Sequence, residues 1–219
     1  MMMKHFHFCD SEVVWSVRQD ENVVGLWSFL YDTAPENMLV SFDGGSYLPA
    51  LEHDPSRKRY PPKREFQYHI DTDLVYQADV PRDFDPRFPY LENEKGYRGT
   101  IQGVVLLEDT EEGDSTLDCI KGSHLYHYEF CQRFAQTVKT PKKEWQKMTK
   151  EMVQFYLEKP NVERVRLTAK KGSVFLFTSQ TLHNVCQPVY PRTNPKDRFV
   201  VYVCYVPRQR ANEKQLKKK

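Results

Sequence analysis

The chain has 219 residues, 39% of them hydrophobic and 13% aromatic, enough apolar material for an independent core and too much for a disordered chain. Its net charge of +2 describes no nucleic-acid-binding surface, since the basic excess gathers in a tail at 211–219 (Lys214, Lys217 to Lys219) that reads as a solvated end. Five cysteines (9, 119, 131, 186 and 204), an odd number without CxxC spacing, speak against a disulfide framework and a structural zinc site and suit a reducing compartment.

Met1 to Asp10 lacks an apolar signal region, and no apolar run approaches the ~18 residues that span a bilayer. The expectation is a single-domain cytoplasmic protein with no membrane partner, and the sequence carries no signal for an oligomeric state. Along the chain, residues 11–32 carry a helical period behind Ser11 as N-cap. Met38 to Phe42 reads as a strand ended by the turn signal Asp43-Gly44-Gly45. Phe66 to Asp71 reads as another strand. Residues 75–94 carry prolines and aromatics (Phe84, Phe88, Tyr90) without period, which predicts a long loop, either a lid over a substrate or a packed surface insert.

Ile101 to Leu107 and Leu117 to Ile120 are predicted strands, and 127–158 is helix-like with a break at Pro141. Strands then follow at Val165 to Ala169, Val174 to Phe177, Leu182 to Cys186 and Phe199 to Val206. Helices at the start and middle, with about eight short strands around them, predict a mainly β fold with supporting helices, an antiparallel barrel or jelly roll.

The chemistry-bearing pattern begins at His69-Ile70-Asp71. On a strand, residues two apart share a face, so an imidazole and a carboxylate here form two corners of a metal site. His183, at the start of a late strand, is the candidate third ligand. Two histidines and one carboxylate on one face are the facial triad of non-haem Fe(II) oxygenases, which leaves positions for a bidentate 2-oxo acid and O2. Arg198 follows His183 by fifteen residues and opens a strand. Its fork suits the distal carboxylate of 2-oxoglutarate, and it is favoured over Arg192, which lies in a Pro-rich turn. His124 and His127 follow a turn and read as a surface pair; His5, His7 and His53 read as surface residues. Ser41 and Asp43 either line the pocket or cap the Gly44-Gly45 turn.

Several motifs accompany the triad: Trp15-Ser16-Val17-Arg18, Leu39 to Asp43, Gln102-Gly103, Gly122-Ser123-His124, the Gly172-led strand, and Arg198 with Tyr202. Taken together the chain resembles the phytanoyl-CoA dioxygenase family over nearly its whole length. The resemblance implies a double-stranded β-helix, cupin-like, with Fe(II) on His69, Asp71 and His183 and 2-oxoglutarate as co-substrate. It further implies oxidation of an unactivated C–H bond in a small-molecule substrate, coupled to formation of succinate and CO2. It assigns Arg198 as co-substrate clamp and directs Gln102 towards the co-substrate. The carboxylate at 71 favours hydroxylation over halogenation, because related halogenases carry a small residue there. Phe177-Thr178-Ser179-Gln180 departs from the family pattern before the distal histidine and leaves the substrate open. Two other readings compete: a binding or scaffold protein that has lost turnover, and a metal cupin enzyme that does not use 2-oxoglutarate.

Overall fold

The computed structural model describes residues 2–3, 8–53, 68–72, 74, 100–140, 145–189 and 192–210. The predicted 75–94 loop with its aromatic residues, the 211–219 tail, Phe66, Pro141, His5 and His7 lie outside the described residues.

The segment predicted as one helix is two: α1 (Glu12–Gln19) and α2 (Glu21–Tyr31). Ser11 caps α1, its Oγ accepting the Val14 N–H at 3.5 Å. Asp20 divides them, with extended backbone at ψ 127° and a carboxylate that accepts the N–H groups of Asn22 and Val23 at 3.0 and 3.1 Å. An aspartate serves a helix start better than a helix interior, because its side chain competes for backbone donors. The apolar period therefore runs through while the helix does not.

Two antiparallel sheets form the body of the molecule. One is six-stranded: β1 (Met2–Met3), β2 (Met38–Val40), β3 (Gly45–Leu48), β5 (Ile101–Leu106), β9 (Val174–Thr178) and β11 (Arg198–Pro207), in the order β1-β3-β11-β5-β9 with β2 also on β11. The other is five-stranded, in the order β7-β4-β10-β6-β8. Its members are β4 (His69–Ile70), β6 (Leu117–Lys121), β7 (Gln146–Lys147), β8 (Glu163–Arg166) and β10 (His183–Val185). From β8 to β11 the chain alternates between the sheets. The predicted helical stretch 127–158 resolves into α3 (His127–Phe134), the short strand β7 and α4 (Lys150–Leu157), the last capped by Thr149. Gly45 opens a strand and does not close a turn: a Cβ there would lie 2.6 Å from the Val200 carbonyl oxygen.

Alternation along the strands sorts the core into layers. Val14, Val23, Trp27 and Tyr31 of the first two helices pack on Ile101, Val105, Val201, Val203 and Tyr205, the outer face of the larger sheet. Phe130, Phe134, Phe155 and Tyr156 of α3 and α4 pack on Tyr68, Ile70 and Ile120, the outer face of the smaller sheet. Between the sheets, Val104, Leu106, Phe175 and Val200 meet Leu117. Each fully buried side chain of this size contributes on the order of 1.5–3 kcal/mol. The result is the mainly β sandwich, of double-stranded β-helix type, that the pattern predicts. Among the described residues no helix is long and apolar enough to cross a membrane.

Candidate metal centre

β4 and β10 pair antiparallel with His69 directly opposite His183. Tyr68 and Ile70 point outward into the helical side of the core, so His69 and Asp71 face inward, as alternation requires. The backbone N–H of Asp71 donates to the Ser179 carbonyl at 2.9 Å and fixes the residue just past the strand end. His69, Asp71 and His183 each offer a ligand atom, all within 4.8 Å of one another. His183 Nε2 lies 3.6 Å from Asp71 Oδ2, and the two imidazole rings are 4.2 Å apart.

The tautomer of His183 follows from its neighbour. Its Nδ1 lies 2.9 Å from the Thr181 carbonyl oxygen, which accepts a proton and cannot give one. The Nε2 lone pair is thereby turned to the centre. Burial, and then the neighbouring His69, push the His183 imidazole down to about 4, with Asp71 acting the other way. The ring is neutral near neutral pH, the form that can ligate a metal. Phe177 packs 4.6 Å from the His183 ring, and Trp145, 41% exposed, lies 5.4 Å from the His69 ring at the rim. Sequence reasoning gave no signal for Trp145, whose place depends on β7.

Gln102 projects from the inward face of β5. Its Nε2 donates to Asp71 Oδ2 at 2.9 Å, while its Oε1 is buried with no hydrogen-bond partner among the described residues. The amide directed by resemblance towards a co-substrate thus reaches Asp71 itself.

The two arginines are distinguished by what they already hold. Arg192 Nε and Nη2 donate to Glu52 at 3.0 and 2.5 Å, and its Nη1 to Asp114 at 2.7 Å. Arg198 is 4% exposed and opens β11 on the face shared by Val200 and Tyr202. Its Nη2 donates to the Tyr202 hydroxyl at 3.4 Å, and its buried Nη1 has no partner among the described residues. A buried cationic donor without an acceptor is costly, and a carboxylate is the group that satisfies it.

The surface reading of the histidine pair fails at His127, which is 1% exposed. Its Nδ1 lies 3.3 Å from the Tyr156 hydroxyl and its Nε2 3.4 Å from Cys131 Sγ, so it is a core residue between α3 and α4. His53 is exposed and pairs with Asp197 at 3.2 Å. Ser41 does not cap the Gly44-Gly45 turn: its hydroxyl donates to Asp43 Oδ2 at 2.5 Å.

No protein-family model matches the sequence, and no curated protein matches it significantly. Solved structures similar to this chain include the epimerase SnoN in complex with Fe3+, α-ketoglutarate and nogalamycin RO. The TM-score is 0.48 at 12% identity, over 90% of this chain and 60% of that one. Another is HygX from Streptomyces hygroscopicus with nickel, 2-oxoglutarate and hygromycin B bound, at TM-score 0.44 and 14% identity, over 90% of this chain and 66% of that one. The chain spans about three fifths of the length of SnoN and two thirds of that of HygX.

Proposed function

We propose that this chain is a non-haem Fe(II)- and 2-oxoglutarate-dependent dioxygenase that hydroxylates a C–H bond of a small organic substrate, releasing succinate and CO2. The observation that carries this reading is the gathering of His69, Asp71 and His183, with ligand atoms within 4.8 Å, in a sandwich that also buries Arg198 Nη1, which has no partner among the described residues. Two imidazole nitrogens and one carboxylate oxygen suit Fe(II) and leave room for a chelating co-substrate. The motifs quoted above favour the phytanoyl-CoA dioxygenase family as its kin, without carrying over a CoA thioester as substrate. One domain over 1–219 and a cytoplasmic setting complete the proposal; the five cysteines form no disulfide among the described residues, which supports a reducing compartment.

Iron, when bound with 2-oxoglutarate and O2, supplies the oxidising chemistry. The protein holds and orients. His69 and His183 each present a ring nitrogen, that of His183 fixed by the Thr181 carbonyl. Gln102 engages one Asp71 oxygen and orients the carboxylate. Arg198 and the Tyr202 hydroxyl offer donors to the distal carboxylate of 2-oxoglutarate. Val104, Leu106, Phe175 and Val200 keep the space between the sheets poor in water.

The test is succinate formation by the Fe(II)-loaded chain under air with 2-oxoglutarate, alone and with a substrate panel. The parent is expected to decarboxylate 2-oxoglutarate and Asp71→Ala to lose that reaction. Turnover by Asp71→Ala equal to the parent's would falsify the triad. A parent that binds iron but never consumes 2-oxoglutarate across the panel would instead favour the scaffold reading or a cupin enzyme of other chemistry.

A further inference from the structure

Two stretches of chain pair with the same edge of β11, and their registers disagree by one residue. On one side Val201 is opposite Gly45, and the Tyr202 N–H donates to the Gly44 carbonyl at 2.9 Å. On the other, Tyr205 is opposite Val40, and the Ser41 N–H donates to the Cys204 carbonyl at 2.9 Å. Phe42 and Asp43 therefore stand against the single residue Val203, which is a β-bulge.

The bulge sends its two side chains in opposite directions. Phe42 goes outward, 66% exposed, edge-on to Trp15 at 5.6 Å. Asp43 goes inward, where Ser41, opposite Cys204, donates to its Oδ2. The Asp43 carbonyl, left out of the ladder, accepts from Arg18 Nη2, while Arg18 Nη1 donates to the Cys9 carbonyl at 2.8 Å. Arg18 is 2% exposed and lies over the Trp15 and Phe42 rings, so the bulge is braced from behind by a buried cation held on carbonyls.

The inward row that results runs Ser41, Cys204, Gln102, Phe177 across four strand segments. It ends at the candidate metal centre, where Phe177 packs on His183 and Gln102 bonds Asp71. Neighbouring strands lie about 4.8 Å apart, so Ser41 and Gln102 are separated by roughly 10 Å. The Cys204 thiol between them is pushed up to about 12 by burial first and then by Asp43 and Asp71, so both carboxylates act on one inward group.

Among the described residues the Asp43 carboxylate takes a side-chain hydrogen bond from Ser41 and forms no ion pair, and Gln102 Oε1 is buried without a donor. This end of the row thus holds a carboxylate with one side-chain donor, Ser41, and one buried amide oxygen with none among the described residues. Arg198, whose Nη1 has no acceptor among the described residues, stands at the other end of the β11 inward face.

We propose that the Phe42–Asp43 bulge aims the Asp43 carboxylate into the site to dock a protonated amine of the substrate. The inference rests on the oxygenase reading only in calling the docked molecule the substrate. An ammonium brings three donors to a face that presents the Asp43 carboxylate and the donorless Gln102 Oε1, whereas an anion there meets two carboxylates, Asp43 and Asp71.

The experiment is ligand-observed NMR titration of the Co(II)-loaded chain with matched probes: hexylamine against hexan-1-ol, and glucosamine against glucose. At least one amine is expected to bind about tenfold or more tightly than its hydroxyl counterpart, the scale of a charge-assisted hydrogen bond. Asp43→Asn keeps the acceptor for Ser41, so it should melt with the parent and lose that preference while binding the hydroxyl compound as before. An amine preference that Asp43→Asn retains, or no preference in the parent, overturns the docking site. Amine preference lost in Asp43→Asn, in a protein that never consumes 2-oxoglutarate, leaves the docking site standing and removes the oxygenase reading instead.

Discussion

Gln102 Nε2 donates to Asp71 Oδ2 at 2.9 Å, joining the inward face of β5 to the carboxylate of the candidate triad across the gap between the two sheets. A partner of this kind holds a ligand in one rotamer, and its removal commonly costs 10- to 100-fold in metal affinity, by the order of magnitude of such outer-shell effects. Gln102→Leu keeps the volume and removes the donor. Its affinity for Co(II), followed by visible absorption, should fall on the order of 10-fold or more. The thermal midpoint of the metal-free chain should not fall, because the unsatisfied Oε1 goes with the amide. Unchanged Co(II) affinity would show that Asp71 is held without Gln102.

Gly103, next along β5, faces the helices. A Cβ at that position would stand 2.2 Å from Trp27 Cη2, and Trp27 is pinned there by its Nε1 donating to the Ile101 carbonyl at 3.0 Å. The Gln-Gly pair thus serves two faces of one strand: the glutamine the site, the glycine the seating of α2. Gly103→Ala forces overpacking against an indole that is itself hydrogen-bonded. It should lower unfolding free energy by about 1–3 kcal/mol in urea titrations. Stability equal to the parent's would mean that α2 shifts freely and that Trp27 is not seated against Gly103.

What the sequence made legible is what obeys local rules. His69 and Asp71 share a face because strands alternate, and Arg198 and Tyr202 share one for the same reason. Ser11 announced a helix start by its chemistry. The features that stayed hidden depend on distant partners. Asp43-Gly44-Gly45 has the composition of a turn. Its actual form, a bulge running into β3, is set by register against β11, far along the chain. Asp20 fell within an unbroken apolar period, and only its backbone conformation shows that it ends one helix and caps the next. His127 sits among polar neighbours at a helix start, and its burial is decided by α4. Gln102 lies on the inward face of β5 as alternation requires, but the group it meets, Asp71, comes from the opposite sheet.

His127 gives the fold a pH dependence whose sign can be worked out. Burial, and then His124, push its imidazole down to about 3, well below the ordinary value of 6.5. Between those values the unfolded chain takes up a proton that the folded chain excludes, so stability falls as pH drops from 6.5 towards 3. Below the folded value both states carry the proton and this contribution levels off. His127→Gln removes it. Urea unfolding at about pH 7 and about pH 4.5 should show a larger loss for the parent than for His127→Gln. Equal losses would place the acid sensitivity in other groups, His183 first among them.

Arg198 and Arg192 should fail in different ways when their charge is removed. Arg198→Gln leaves the fold intact, since among the described residues its guanidinium holds only the Tyr202 hydroxyl. It should weaken 2-oxoglutarate binding on the order of 10- to 100-fold, the worth of charge-assisted hydrogen bonds to a carboxylate, measured by titration calorimetry. Arg192→Gln breaks the pairs with Glu52 and with Asp114, whose side chain is 4% exposed and would be left buried without its cation. Breaking a buried pair from one side costs about 3–5 kcal/mol, and the part-exposed Glu52 puts this case near the lower end. Arg192→Gln should therefore melt earlier while binding 2-oxoglutarate with parental affinity below its transition. If the two variants exchanged these behaviours, the clamp would lie in the turn at Arg192 and the inward face of β11 would have to be read again.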